Sequence, residues 1–259
     1  MYRELEVPGV GTLWWSGPTA ARVTDGAPAP AAERVIPADG SADLILRDDA
    51  LLIAGPSTRA IPVRDGLGGI TVGLRFAPGF AGAALAQPAG ALRDAQLEGP
   101  AVLDPAAHRA ARDLLRRARD AGPVAEHMDR PGRRDAQRAL VLRVERSYAP
   151  GLAGEAAWLA AVRAAATRGA RAALLAAELG ASERQLRRRM VDRFGYGYTS
   201  LRRVVRAEHA LRLLRAGGEP VAVAGAAGYA DQAHLTRELR ALAGTTPGAL
   251  ARQAVGSAA

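Results

Sequence analysis

Hydrophobic and polar positions follow two different rhythms along this chain. In the first hundred residues apolar side chains come in short or alternating runs, at Gly11 to Trp15, Ala42 to Leu46, Ala50 to Ala54 and Gly69 to Phe76. Turn residues separate these runs, as at Ala38-Asp39-Gly40 and Arg64-Asp65-Gly66, and short alternating runs between turns predict strands. At Asp104 the texture changes. Asp104-Pro105 has the form of an N-cap followed by proline at the first helical position, and Ala106 to Asp120 is rich in Ala, Leu and Arg. Further helices are expected at Asp135 to Tyr148 and Ala153 to Ala166, separated by Pro123, Pro131-Gly132 and Pro150-Gly151. Everything after Gly169 reads as helix with short turns. The expected fold class is α+β: a β-rich part over residues 1–103, a helical connector over 104–166, an all-α part over 167–254, and a disordered tail at 255–259.

The all-α part repeats itself. Leu186 recurs as Leu235, Arg188 as Arg237, Met190 as Leu239, Gly195 as Gly244 and Leu201 as Leu250, at an offset of 49 residues, while Ala176 and Gly180 recur as Ala224 and Gly228 at 48. Each copy reads as a helix ending at Gly, a short turn, and a second helix carrying Leu-x-Arg. Gly180 and Gly228 suit a left-handed helix end, and Ser182 and Asp231 are placed to cap the helices that follow. Leu186, Met190 and Phe194 make one buried stripe, which leaves Arg184, Arg187 and Arg188 facing outward. Ser200 to Ala216 reads as a long helix joining the copies, with Leu201, Val204, Val205, Leu211 and Leu214 as packing positions. Two helix-turn-helix units on a rigid spacer follow from this pattern.

Charge sharpens that picture. All 35 basic residues are Arg, which reads as compositional bias more than as selection for guanidinium chemistry. Their distribution is more informative: residues 1–100 carry a net −3, residues 101–166 a net +4, and residues 167–259 a net +8. A positive field concentrated in the repeat region attracts a polyanion. In helix-turn-helix units the second helix enters the major groove, where Arg can donate two bonds to guanine and Gln can pair with adenine. The candidate DNA-binding residues are Ser182, Arg184, Gln185, Arg187 and Arg188 in the first unit, and Asp231, Gln232, His234 and Arg237 in the second.

Here the sequence resembles the AraC-type family of bacterial transcription regulators. The resemblance covers about residues 169 to 254. It rests on Leu175-Ala176-x-x-Leu179-Gly180, Ser182 with Leu186-x-Arg188, Arg206 with Ala210 and Leu213-Leu214, Gly228-Tyr229-x-Asp231-Gln232 with Leu235-x-Arg237, and Gly244-Thr245-Thr246-Pro247. It implies two helix-turn-helix units and a double-stranded DNA partner, with RNA polymerase as a further partner. Ala226, Leu235 and Leu239 are smaller than the family's usual core residues, so a thinner second core is expected. Arg206 is expected to make an ion pair within the linking helix. The N-terminal part is similar to an uncharacterised domain that often precedes this tail, through Ile36-Pro37-x-Asp39-Gly40, Asp43-Leu44-Ile45, Gly55-Pro56 and Gly73-x-Arg75-Phe76-x-Pro78-Gly79. That context implies a sensing or dimerising role.

In the N-terminal part, Trp14 and Trp15 should point to opposite faces of a strand, so at most one lines a cavity. Trp15 and Arg75 are the candidate ligand-binding residues; for Arg75 a salt bridge is the plainer reading. Asp39 reads as a turn residue and Asp48 and Asp49 as a solvated loop, so these acids with Asp43 are not expected to form a metal cluster. Residues 1–100 contain neither His nor Cys, so a His-ligated metal centre has no ligands there. No cofactor is expected. Zero cysteines exclude thiol nucleophiles and disulfides, and no nucleophile with a matching His and carboxylate is visible, so an enzyme is not expected. No apolar run has membrane-spanning length, and a cytoplasmic location is expected. The functional expectation is a sequence-specific DNA-binding transcription regulator, with a small-molecule effector acting through the N-terminal domain. The alternative is a protein-interaction module docking an acidic partner on its Arg-rich helices. Monomer and homodimer both remain open.

Overall fold

The structure is a computed structural model that describes residues 2–17, 33–36, 38–64, 69–122 and 133–249. The expectations placed on Pro37, on Asp65-Gly66, on Pro123 and Pro131-Gly132, on Leu250 and on the tail at 255–259 lie outside these residues.

Among the described residues, eight strands and nine α-helices follow in chain order: β1 (Tyr2–Val7), β2 (Gly11–Ser16), β3 (Glu33–Ile36), β4 (Ala42–Arg47), β5 (Ala50–Ala54), β6 (Ile61–Arg64), β7 (Thr71–Phe76), α1 (Ala81–Ala84), α2 (Ala89–Leu92), β8 (Gln96–Glu98), α3 (Pro105–Ala121), α4 (Arg133–Thr167), α5 (Ala172–Glu178), α6 (Glu183–Phe194), α7 (Tyr198–Arg215), α8 (Pro220–Ala226) and α9 (Gln232–Ala243). The N-terminal part is an antiparallel six-stranded sheet of order β1-β2-β7-β4-β5-β8, with β3 and β6 paired separately. The expected strands are therefore present, and β1, β3, β6 and β8 add to them. β4 and β5 form a tight hairpin through Asp48 and Asp49, both at positive φ (46° and 66°), the conformation a two-residue hairpin turn requires.

Alternation along the strands divides the sheet into two faces. Leu13, Trp15, Leu44, Leu46, Ile53, Val72, Leu74 and Phe76 point into the main core, where each is at most 1% exposed. Cross-strand pairing stacks them in rows, with Leu74 facing Leu13 on one side and Leu44 on the other. Helix α3 covers this face with Ala111, Leu114, Leu115 and Ala118. It starts where the sequence places it: the Asp104 side chain accepts from the backbone N–H groups of Ala106 and Ala107, and Pro105 follows at the first helical position.

The opposite face carries polar groups. Trp14 lies over Gly73, where any Cβ would stand 2.4 Å from the indole, and its Nε1 donates to Asp43 Oδ1 at 2.7 Å. Arg75, directly across from Asp43 in the ladder, donates from Nε to the same carboxylate at 3.2 Å and approaches Asp39 at 3.6 Å. Burial pushes the Asp43 carboxyl up, while Arg75 pulls against that shift.

One expectation fails at Pro150. The two helices foreseen around it are a single helix, α4, of 35 residues with Pro150 inside. Pro150 cannot donate to the Arg146 carbonyl, a loss of roughly 3 kcal/mol in a helix interior. Leu140, Val144, Leu152, Leu159 and Val162 nevertheless form one stripe on both sides of the proline, each at most 5% exposed in the main core. Full burial of an aliphatic side chain contributes about 1.5–3 kcal/mol, so the stripe outweighs the missing bond. Among the described residues no helix is long and apolar enough to cross a membrane.

Candidate nucleic-acid interface

Helices α5 and α6 form one helix-turn-helix unit and α8 and α9 a second, with α7 between them. The two turns are built alike. In the first, Gly180 at φ 61° donates to the Ala177 carbonyl and Ala181 to that of Ala176. In the second, Gly228 at φ 74° donates to Gly225 and Tyr229 to Ala224. Both are the paired helix-ending bonds that a left-handed glycine permits, which is why Ala and Gly recur together at fixed spacing. The second turn has one more residue before its cap, and this accounts for the offset changing from 48 to 49.

The caps form as the spacing suggests. Ser182 accepts from the Gln185 N–H, while the Gln185 side chain accepts from the Ser182 N–H, a reciprocal capping box. Asp231 accepts from the His234 N–H at 2.6 Å. Ser182, Gln185 and Asp231 are thus engaged in starting α6 and α9. Leu186, Met190 and Phe194 are buried, as are Leu235 and Leu239. Ala226, expected in the second core, is exposed; Val223, Ala224, Ala227 and Tyr229 take that role because α8 turns their face towards α7 and α9.

The outward face of α6 separates its arginines into two groups. Arg184, Arg187 and Arg188 are exposed and make no ion pair among the described residues. Arg189 and Arg193 are committed elsewhere: each donates to the Glu155 carboxylate of α4, at 3.1 and 2.9 Å, and Arg189 stacks over Trp158 at 4.2 Å. Burial works against ionisation of Glu155, but the two guanidinium groups outweigh it and hold its carboxyl below the usual value. On α9, Gln232 and Arg237 are exposed, and Arg237 likewise makes no ion pair among the described residues. His234 is half-buried with its ring edge-on to Tyr229 at 5.2 Å.

Helix α7 ties the units together. Its first half, with Tyr198, Leu201 and Val205, belongs to the main core; its second half, with Ala207, Ala210, Leu211 and Leu214, belongs to the separate core of the second unit. Arg206 does not pair within α7 as expected. Its guanidinium lies over the Tyr229 ring at 4.4 Å and reaches Glu238 of α9 at 3.5 Å, because one helical turn of α7 faces α9 there. Arg203 donates to the same carboxylate at 2.8 Å. Sequence reasoning missed Glu155, Trp158 and Glu238. Glu155 lies 34 residues before Arg189, and no local spacing signals such a pair.

The candidate ligand residues of the N-terminal part fall in different surroundings. Trp15 is 1% exposed in the main core, its Nε1 donating to the Ala118 carbonyl at 2.9 Å. Arg75 pairs with Asp43 and Asp39 on the other face. Among the described residues no group of three or more His, Asp or Glu is placed to hold a metal.

Comparison with known proteins agrees with the C-terminal geometry. Residues 175–253 match a family model described as a helix-turn-helix domain. No curated protein matches the chain. Among solved structures, ToxT from Vibrio cholerae at 1.65 Å resolution is 11% identical with a TM-score of 0.47 over 98% of each chain. ToxT from Vibrio cholerae O395 is 13% identical with a TM-score of 0.43, covering 85% of this chain and 87% of that one. Likeness this remote transfers no ligand and no mechanism to the present chain. The glycine turns, the caps, the packed spacer helix and the matched segment agree: the C-terminal region of this protein is a helix-turn-helix domain of the AraC type, a DNA-binding domain of transcription regulators.

Proposed function

We propose that this protein is a sequence-specific transcription regulator that reads one face of a DNA duplex with α6 and α9, the reading part spanning residues 167–254. The observation that carries this reading is the division of labour on α6. Arg189 and Arg193 are held by Glu155, whereas Arg184, Arg187 and Arg188 project outward and make no ion pair among the described residues. An exposed guanidinium trio on a helix braced from behind suits bidentate contact with guanine edges and phosphates. On α9 the corresponding groups are Gln232 and Arg237, with His234 partly engaged by Tyr229. The second unit is assigned fewer base contacts and a larger share of backbone anchoring.

The test is selection of bound duplexes from a random pool, followed by affinity measurements on the selected site as salt is varied. Affinity should fall steeply with salt, and Arg188→Ala should cost about 1–3 kcal/mol while relaxing preference at one base position. A loss equal on every sequence would reduce Arg188 to a phosphate contact; a wild type with uniform affinity for all sequences would refute specific reading.

A further inference from the structure

The N-terminal part of the chain meets the C-terminal ends of both α6 and α9, by packing at the first and by hydrogen bonds at the second. A helix leaves its last carbonyls without partners. On α9, the Arg240 carbonyl is taken by Gly244 within the domain, but those of Ala241 and Leu242 accept from the backbone N–H groups of Ala60 and Ala38. Ala38 also joins the small core of the second unit, the one residue from the N-terminal part in that cluster among the described residues. On α6, the ending residue Gly195, at φ 78°, sits so close to Ala89 and Pro56 that a Cβ there would stand 2.9 Å from the Ala89 carbonyl oxygen and 3.3 Å from the Pro56 ring. Gly82 of α1 lies closer still to α6, since a Cβ there would stand 2.5 Å from the Asp192 carbonyl oxygen. One short strap, residues 56–60, therefore touches the end of α6 with its first residue and the end of α9 with its last.

The strap is braced from behind. Gly55 donates to the Ala95 carbonyl, and Pro56 accepts from the Asp94 N–H. The Asp94 carboxylate accepts from both the backbone N–H and the hydroxyl of Thr58, at 2.8 and 2.9 Å. Ser57 is buried. Helix α7 also ties the second unit to the rest of the molecule, its two halves belonging to different cores.

We propose that the strap, with Ala38, is a positioning element for DNA reading: it fixes α9 relative to α6 and so sets the spacing at which two sequence elements are read together. Helix α7 joins the two units covalently; a second, non-covalent tie at the C-terminal ends of α6 and α9 adds a constraint on how the two helices sit relative to each other. This inference rests on the proposed DNA-reading function. It concerns spacing and not base identity, because Ala38, Pro56 and Ala60 lie at the helix ends and the base-reading candidates lie on the outward face.

Two variants test it. Ala60→Pro removes the N–H that Ala241 accepts, and Asp94→Ala loosens the strap without touching either recognition helix. Each, after a melting curve shows that it folds, is put through duplex selection beside the full-length wild type, and affinity is measured as the gap between the two elements is changed by one base pair. The wild type should discriminate against the altered gap by about tenfold or more, and the variants by less than about threefold, while both still select the same two elements. An undiminished discrimination in a folded Asp94→Ala protein would overturn the proposal, whatever becomes of Ala60→Pro. A wild type that selects no pair of elements would instead overturn the DNA-reading function on which the proposal stands.

Discussion

Replacing Glu155 with Gln probes the junction where α4 holds α6. The side chain keeps its size, so the packing of Trp158 and Phe194 beside it stays intact, and only the charge is removed. The wild-type carboxylate is 17% exposed and accepts one bond from Arg189 and one from Arg193, whose side chains are 44% and 32% exposed. Hydrogen bonds to charged groups contribute about 1.5–3 kcal/mol when well shielded, and exposed ion pairs about 0–1 kcal/mol. With both partners partly in water, and a neutral amide still able to accept one bond, the net loss should be about 1–2 kcal/mol at neutral pH. In a chain of this size that corresponds to roughly 2–8 °C in Tm.

The pH dependence gives the sharper check. The folded-state Glu155 carboxyl lies below its ordinary value of 4.5, so its stabilising contribution is present above that value and is lost as pH falls through the lower folded value. Wild type and Glu155→Gln should therefore differ in thermal unfolding at pH 7 and converge in acid. A gap that persists undiminished at low pH would mean that the glutamate acts through shape and not charge. No gap at neutral pH would refute the assignment of Glu155 as an anchor of α6.

Two further outcomes follow from packing. The Tyr196 hydroxyl is buried against Gly40 and has no hydrogen-bond partner among the described residues, so Tyr196→Phe should leave stability unchanged or raise it by about 1 kcal/mol in denaturant titration, where loss of a satisfied hydroxyl would lower it. Gly73→Ala places a methyl group 2.4 Å from the Trp14 ring and should cost about 1–3 kcal/mol, with a change in tryptophan fluorescence as Trp14 is displaced from Asp43. A Gly73→Ala protein as stable as wild type, with an unaltered spectrum, would disprove the close stacking.

Much of the helix-turn-helix architecture was legible in the residues because its signals are local. Gly180 and Gly228 announce left-handed helix ends, Ser182 and Asp231 announce caps within three residues of the N–H groups they accept, and Leu186, Met190 and Phe194 announce a buried stripe through helical spacing alone. Asp104-Pro105 did the same for α3. The short strands at β2, β4, β5 and β7 were legible through alternation, whereas β8, only three residues long, carries too few positions to show a period.

What tertiary structure decided is how distant pieces meet. Pro150 argues locally for two helices, yet a stripe buried on both sides of it keeps α4 whole. Arg188 and Arg189 are adjacent and chemically identical; helical spacing leaves Arg188 outward, but that Arg189 is taken up by Glu155 and Trp158 follows only from the approach of α4. Arg206 finds its acid on α9 and not on its own helix, and the last carbonyls of α9 find donors about 180–200 residues earlier in the chain. Periodicity and capping are settled within a helical turn or two. Ion-pair partners, and the donors that reach the last carbonyls of α9, are settled by which surfaces burial brings together, and that is a property of the folded chain.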